Sequence, residues 1–389
     1  MTRTRWRTAV ASATIFILGQ LVLAAPVGAT TPSATVTADM PSAAPAGRFW
    51  TFNDFFPRTV TVRTGTDLQF INQGFHTFTV LPAGATARPD WRANGVGKDD
   101  TDDNTLNPNG TTKSEFNVPA LSPTSLTCGS SAAPCAFDGS STVSSGAPFG
   151  PPGPFVVHVS AAPGLYTFVC RVHAGMSGKL NVVAADAAVP SSAAVDASIA
   201  KQVKHDLAGA WIADRKANRD AITQNRDGST TLHVTAGISS PDGKVALLEY
   251  FPRNLDAQPG DKVVFTPKSP NEPHTVTFPG DLGTEMIAYC EAGSVDVPFG
   301  PPDFNCNGGP PDEVEFGGGN GVSLVTAPGP TGTVSDSGII GPHRLTQQIG
   351  VRSTDILNTW TISLAGAAPG TYTYVCQIHD GMESTITVH

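Results

Sequence analysis

Short runs in which apolar and polar residues alternate dominate this chain, and they come in the same order twice. Residues 59–70 read Thr-Val-Thr-Val-Arg-Thr-Gly-Thr-Asp-Leu-Gln-Phe, two strands around a Gly turn. Residues 254–265, Asn-Leu-Asp-Ala-Gln-Pro-Gly-Asp-Lys-Val-Val-Phe, repeat the same plan. Alternation with period 2 predicts half-buried strands. Residues 162–170 and 368–376 each set a Pro-Gly turn before alternating aromatic and β-branched positions. Tyr166 and Phe168 in one copy answer to Tyr372 and Tyr374 in the other, so one face of each strand packs inward. Residues 201–226 break the pattern. Val203, Leu207, Ala210, Trp211 and Asp214 fall near helical spacing, which predicts a helix packed against the second half of the chain.

The repetition extends to fixed landmarks. Phe-Pro-Arg at 56–58 and 251–253, Gly65 and Gly260, and Phe70 and Phe265 all stand 195 residues apart. Two tandem copies of one domain are the economical account. The expected division is 1–29 a signal peptide, 30–47 a flexible leader, 48–184 domain 1, 185–230 a linker plus helix, and 231–389 domain 2. Gly and Pro, 40 and 33 of 389 residues, favour turn-rich β structure. The expected fold class is therefore all-β, two domains with long insertions. The insertions lie in residues 77–169 and 275–375 and share a Pro-Phe-Gly-Pro-Pro at 148–152 and 298–302. Long loops repeated in both halves point to an ordered role, such as a lid or partner surface.

The chemistry sits at the end of each copy. Cys170-Arg-Val-His173-Ala-Gly-Met176 and Cys376-Gln-Ile-His379-Asp-Gly-Met382 are both Cys-x-x-His-x-x-Met. A thiolate, an imidazole and a thioether on one tight loop suit a soft or borderline metal, above all copper. A second imidazole is available upstream in each half, His76 and His274, just beyond a strand-like run. Two His, one Cys and a weak axial Met make a type 1 copper site. The expectation is two such sites, cycling between Cu(I) and Cu(II).

This pattern resembles the cupredoxins, the plastocyanin, amicyanin and azurin group of blue copper proteins, and the short loop is most similar to the amicyanin version. The resemblance covers the strands before each upstream His and the strand and loop that close each half. It implies two Greek-key cupredoxin β-sandwiches joined by a linker and a short helix, backbone hydrogen bonds to the thiolate, and an electron exit through His173 and His379. Asn72 and Asn271 are candidates to tie the ligand loops together. The implied function is one-electron transfer to and from a redox partner protein, without catalysis. Two-domain copper oxidoreductases such as nitrite reductases and laccases are the alternative. They need a His beside the Cys, whereas here the neighbours are Val169, Arg171, Val375 and Gln377, and no His-x-His occurs. A non-redox copper-binding or adhesion module is a third class, but Met- and His-rich storage composition is missing.

Arg3, Arg5 and Arg7 precede a mostly apolar run that ends at Val27-Gly-Ala29, the form of a secretory signal. No later apolar stretch is long enough to span a membrane. The expected location is secreted or extracytoplasmic, with envelope attachment left open. Without residues 1–29, which carry three Arg and no acid, 21 bases face 33 acids and the formal charge is −12. That balance disfavours nucleic-acid binding. The other four Cys predict local disulfides, Cys128–Cys135 and Cys290–Cys306.

Overall fold

The structure, a computed structural model, describes residues 33–85, 112–115, 122–148, 153–219, 222–226, 228, 230–278, 287–289, 313–316, 335–337, 340–342, 357–376, 378–379 and 381–389. It is all-β, with one α-helix and one short 3-10 turn among the described residues. The first sandwich faces one five-stranded sheet with another. In the first sheet the order is Phe55–Phe56, Ala34–Ala38, Thr66–Asn72, Phe155–Val159, Cys135–Phe137. In the second it is Thr59–Arg63, Ser177–Val183, Gly164–Val169, Thr79–Val80, Val143–Ser144.

The second sandwich repeats this. Val245–Phe251, Thr230–Ser239, Lys262–Lys268 and Trp360–Ser363 form one sheet. Asn254–Ala257, Glu383–Val388, Gly370–Val375, Thr277–Phe278 and Ser335–Asp336 form the other. The alternating patterns explain the cores. Phe55, Phe70, Phe78 and Phe168 meet between the first pair of sheets, with Phe70 stacked on Phe78 at 4.8 Å. Tyr250, Phe265, Phe278, Trp360 and Tyr374 do the same in the second. Truncating any of these buried rings to Ala costs about 3–5 kcal/mol. The Pro-Gly turn before each closing strand is tied back on itself: Tyr166 Oη donates to Ala162 O (2.9 Å) and Tyr372 Oη to Ala368 O (2.8 Å).

Three findings depart from the sequence reading. Part of the expected flexible leader is a strand: Ala34–Ala38 runs parallel to Thr66–Asn72 and fills the place that Thr230–Ser239 fills in the second half. Its Thr-Val-Thr alternation was obscured by Ala, Ser and Pro on either side. The helix is Ser192–Ala217, so it begins inside the Ala-rich stretch assigned to the linker. Ser191 caps it, its side chain accepting the Ala194 N–H at 3.3 Å, and Ala is the best helix former. Beyond the helix, Ile222–Gln224 pairs with Thr230–Ser239 as a strand.

The third departure joins the halves. Trp50–Phe52, on the first half's chain, leaves its own sandwich and pairs antiparallel with Val245–Leu247 on the edge of the second. The helix packs over that junction. Ala210, Ala213 and Ala217, one to two turns apart and small enough for close approach, meet Trp50, Phe52, Val245, Leu247 and Phe251 in a core of their own. Its earlier turns grip the first half: Gln202 Nε2 donates to Phe55 O at 2.7 Å, and Arg58 reaches both Asp54 and Asp206. The two insertions also meet, Thr112–Glu115 pairing with Glu313–Phe316. Cys128 and Cys135 are disulfide-bonded as expected, while Cys290 and Cys306 lie outside the described residues.

Candidate metal centres

In the first half the upstream loop and the closing loop bring three donors together. His76 Nδ1 lies 3.0 Å from His173 Nδ1, and Cys170 Sγ lies 3.9 and 3.6 Å from those two nitrogens. The site is sealed: His76 is fully buried and Cys170, His173 and Met176 nearly so. Met176 belongs to the same core cluster as Cys170, and the loop closes through Cys170 N–H to Met176 O (3.0 Å). The upstream loop is fixed by Asn72 Nδ2, which donates to His76 O at 2.7 Å. The two loops are then tied by backbone: Thr77 N–H donates to Cys170 Sγ (3.4 Å) and Arg171 N–H to Thr77 Oγ1 (2.7 Å).

The second half is built alike. Donor atoms of His274, Cys376 and His379 lie within 4.8 Å of one another, and Cys376 Sγ is 3.5 Å from His379 Nδ1. Thr275 N–H donates to Cys376 Sγ at 3.4 Å, and Cys376 N–H to Met382 O at 2.9 Å. Met382 shares the core cluster of Cys376. Both ring nitrogens of His274 are buried without a hydrogen-bond partner. Such orphans are costly, and a cation between the three donors would satisfy the one on the Cys side. The donor set, N, N and S with a thioether nearby, suits a soft or borderline ion.

In the metal-free protein these groups hold one another's charge. Burial raises the Cys170 and Cys376 thiols, but the neighbouring imidazoles outweigh it and hold both well below the usual thiol range. Burial pushes His173 down, yet the Glu272 carboxylate and Cys170 raise it to about 10. For His379, Cys376 and Glu272 overcome the same penalty and raise it to about 9. A deprotonated thiolate is the form that binds metal, so the sites are partly prepared.

The sequence reading missed the groups just outside the candidate ligands. Asp39 stands 3.9 Å from His76 Nε2 and is held by Met40 N–H, Phe52 N–H and Thr51 Oγ1 at 2.6, 2.8 and 2.8 Å. Its φ is 66°, in the left-handed region, and the equivalent residue in the second half is Gly237, also at φ 66°. Against Gly237 lies His274 Nε2, so close that any Cβ there would overlap the ring. Glu272, two residues before His274, faces His173 Nε2 at 3.4 Å and His379 Nε2 at 3.8 Å. Gly74 stands at its place in the first half. Asn271 does not tie its own loops: its Nδ2 reaches Ala174 O of the first half at 3.2 Å. The expected surface exits, His173 and His379, are instead enclosed, with side chains 9% and 11% exposed. A third grouping, His205, Asp206 and Asp242, is largely exposed and its Asp206 is committed to Arg58.

No family model matches the chain. No curated protein matches it. Among solved structures, auracyanin from Roseiflexus castenholzii is 18% identical over 39% of this chain and 95% of its own, with a TM-score of 0.20. Plastocyanin from Dryopteris crassirhizoma is 21% identical over 38% and 99%, with a TM-score of 0.17. A purple cupredoxin from Nitrosopumilus maritimus is 14% identical over 39% and 99%, with a TM-score of 0.18. The likeness to these proteins rests on the chain's own residues. Two β-sandwiches, each with a buried Cys and two His brought together by its loops, make this chain similar to the cupredoxins.

Proposed function

We propose that this chain is a secreted electron-transfer protein that carries two type 1 coppers, exchanges electrons with a redox partner protein and converts no substrate. The reading assigns His76, Cys170, His173 and Met176 to one copper and His274, Cys376, His379 and Met382 to the other. It pairs Cys290 with Cys306, and it begins the first domain at the strand Ala34–Ala38 and the second at Ile222–Gln224, in place of 48 and 231. The single observation that carries it is the meeting of a buried Cys with two buried or nearly buried imidazoles, made twice by the same loop. Copper bound there supplies one-electron chemistry between Cu(I) and Cu(II).

The chain's contribution is rigidity. Each Cys is held by the N–H of the residue after the upstream His, and each closing loop is pinned by hydrogen bonds between its Cys, His and Met backbones. Ligands fixed in this way move little when the charge on the ion changes. No helix among the described residues is long and apolar enough to cross a membrane. Copper stoichiometry and the visible spectrum of residues 30–389, before and after ascorbate, test the reading. Two coppers per chain and an intense thiolate-to-copper band that bleaches on reduction are expected. One copper would reduce one half to a scaffold. Three or more, with oxygen or nitrite turnover, would replace the carrier by an enzyme, and none would leave a β-sandwich binding module.

A further inference from the structure

The two imidazoles that should face outward face each other across one carboxylate. His173 turns Nδ1 to Cys170 and Nε2 to Glu272 at 3.4 Å; His379 turns Nδ1 to Cys376 and Nε2 to the other Glu272 oxygen at 3.8 Å. Glu272 is 5% exposed, and Asn53 Nδ2, from the segment that crosses between the sandwiches, donates to its Oε1 at 2.6 Å. Around this point the halves are clamped by Asn271 to Ala174 O and by Lys244 Nζ to Gly175 O at 3.0 Å. A charged side chain so enclosed is held from both halves: Asn53 donates to it from the first, and the His173 and His379 rings, one from each half, stand at ion-pair distance on either side. A carboxylate has two acceptor oxygens, enough to serve one imidazole N–H on each side.

We propose that Glu272 is the bridge between the two candidate metal centres, a positioning residue that sets both exit imidazoles and couples one site to the other, the electron never residing on the carboxylate. This rests on the two copper sites proposed above. With copper at both sites the step would balance within the chain: Cu(I) at one would be oxidised as Cu(II) at the other was reduced, with no outside oxidant or reductant consumed. The path runs from one imidazole through its N–H to the carboxylate and on to the other imidazole. The protein then acts as one two-centre unit, and not as two independent carriers on a string.

The test uses the full copper-loaded chain in a Met382→Gln background, which separates the two visible bands. Flash reduction by photogenerated flavin semiquinone reads transfer between the sites as a phase whose rate does not depend on protein concentration. That phase is expected with Glu272 and should slow roughly tenfold to a hundredfold in Glu272→Ala, both bands being retained. In the diamagnetic Cu(I) protein, two histidine Nε2–H resonances should exchange slowly with solvent and become fast in the same variant. Should Glu272→Ala not fold, Glu272→Gln takes its place, since an amide has one acceptor oxygen and can serve only one imidazole. An unchanged rate with both coppers bound, or no such phase in the Glu272 protein, overturns the bridge and leaves the copper sites standing. Absence of copper from the unaltered chain overturns the copper reading first, in the spectrum, and the bridge with it.

Discussion

The two candidate metal centres share their Cys-His-Met loops and differ in where each half places its acid. In the first, Asp39 stands behind the upstream imidazole and Gly74 leaves the position before it empty. In the second, Gly237 lies behind and Glu272 stands before. The consequence is visible in the histidines. Burial works against a charged His76, but Asp39 and Cys170 outweigh it and raise the imidazole. Burial wins for His274 and lowers it. A carboxylate behind a ligating His fixes its orientation and raises its basicity. The two copies keep Cys, His and Met in place and redistribute their surroundings: Asp39 faces one imidazole of the first half, whereas Glu272 faces one imidazole of each.

Loss of a thiolate should have the strongest effect on either centre. Cys170→Ser and Cys376→Ser should each remove one of the two blue centres, and an unaltered absorption spectrum in either would sink the ligand assignment. Next is Gly237→Ala. Its methyl group would overlap the His274 ring and its backbone would sit strained at φ 66°, at a cost of about 1–3 kcal/mol. The second centre should lose its band while the first keeps its own, as read by the spectrum of each single-Cys variant.

Acidity sharpens the comparison further. With His173 at about 10 and His379 at about 9 in the metal-free protein, both rings are protonated at neutral pH and copper must displace the proton. Apparent affinity at both sites should therefore rise with pH, by about tenfold per unit for each proton released. The raised His76 adds a further share at the first site that the lowered His274 does not add at the second. Competition titrations from pH 6 to 8 on the two Cys→Ser variants should give the steeper slope for the first site; equal slopes would remove the distinction. The smallest effect is Asp39→Asn, which keeps the shape and drops the charge. It should weaken copper at the first site by roughly tenfold and leave the second unchanged in the same titration.

Legibility in the sequence tracks the demands that each feature makes on local residues. Six of the eight ligand candidates were readable because a tight loop needs Cys, His and Met at fixed spacing, and two copies rarely coincide by chance; His76 and His274 stood out as the His just beyond a strand-like run in each half. The aromatic strands were readable because their period is short. Ala34–Ala38 was not, since five residues among Ala, Ser and Pro give too little alternation, and its strand is stabilised by partners far along the chain. The helix start was hidden for a similar reason: Ala and Ser suit a linker and a capped helix equally well. Asp39 and Glu272 carried a signal that alignment of the halves at an offset of 198 exposes. At that offset Asp39 faces Gly237 and Gly74 faces Glu272, acid against glycine in both cases. What no sequence pattern gives is that Glu272 looks across to the other half, because that depends on how the sandwiches dock.

The crossing strand Trp50–Phe52 sets the order in which the molecule can be finished. Its partner Leu247 comes 197 residues after Trp50, so the ribosome releases one edge long before the other exists. Until then Trp50 and Phe52, nearly fully enclosed in the finished protein, have no sheet to join. An unpaired apolar strand of this kind invites pairing with the wrong neighbour. The first half is thus born with an open seam that only the second can close, and a gene cut between the two would yield an amino-terminal piece without its last stitch.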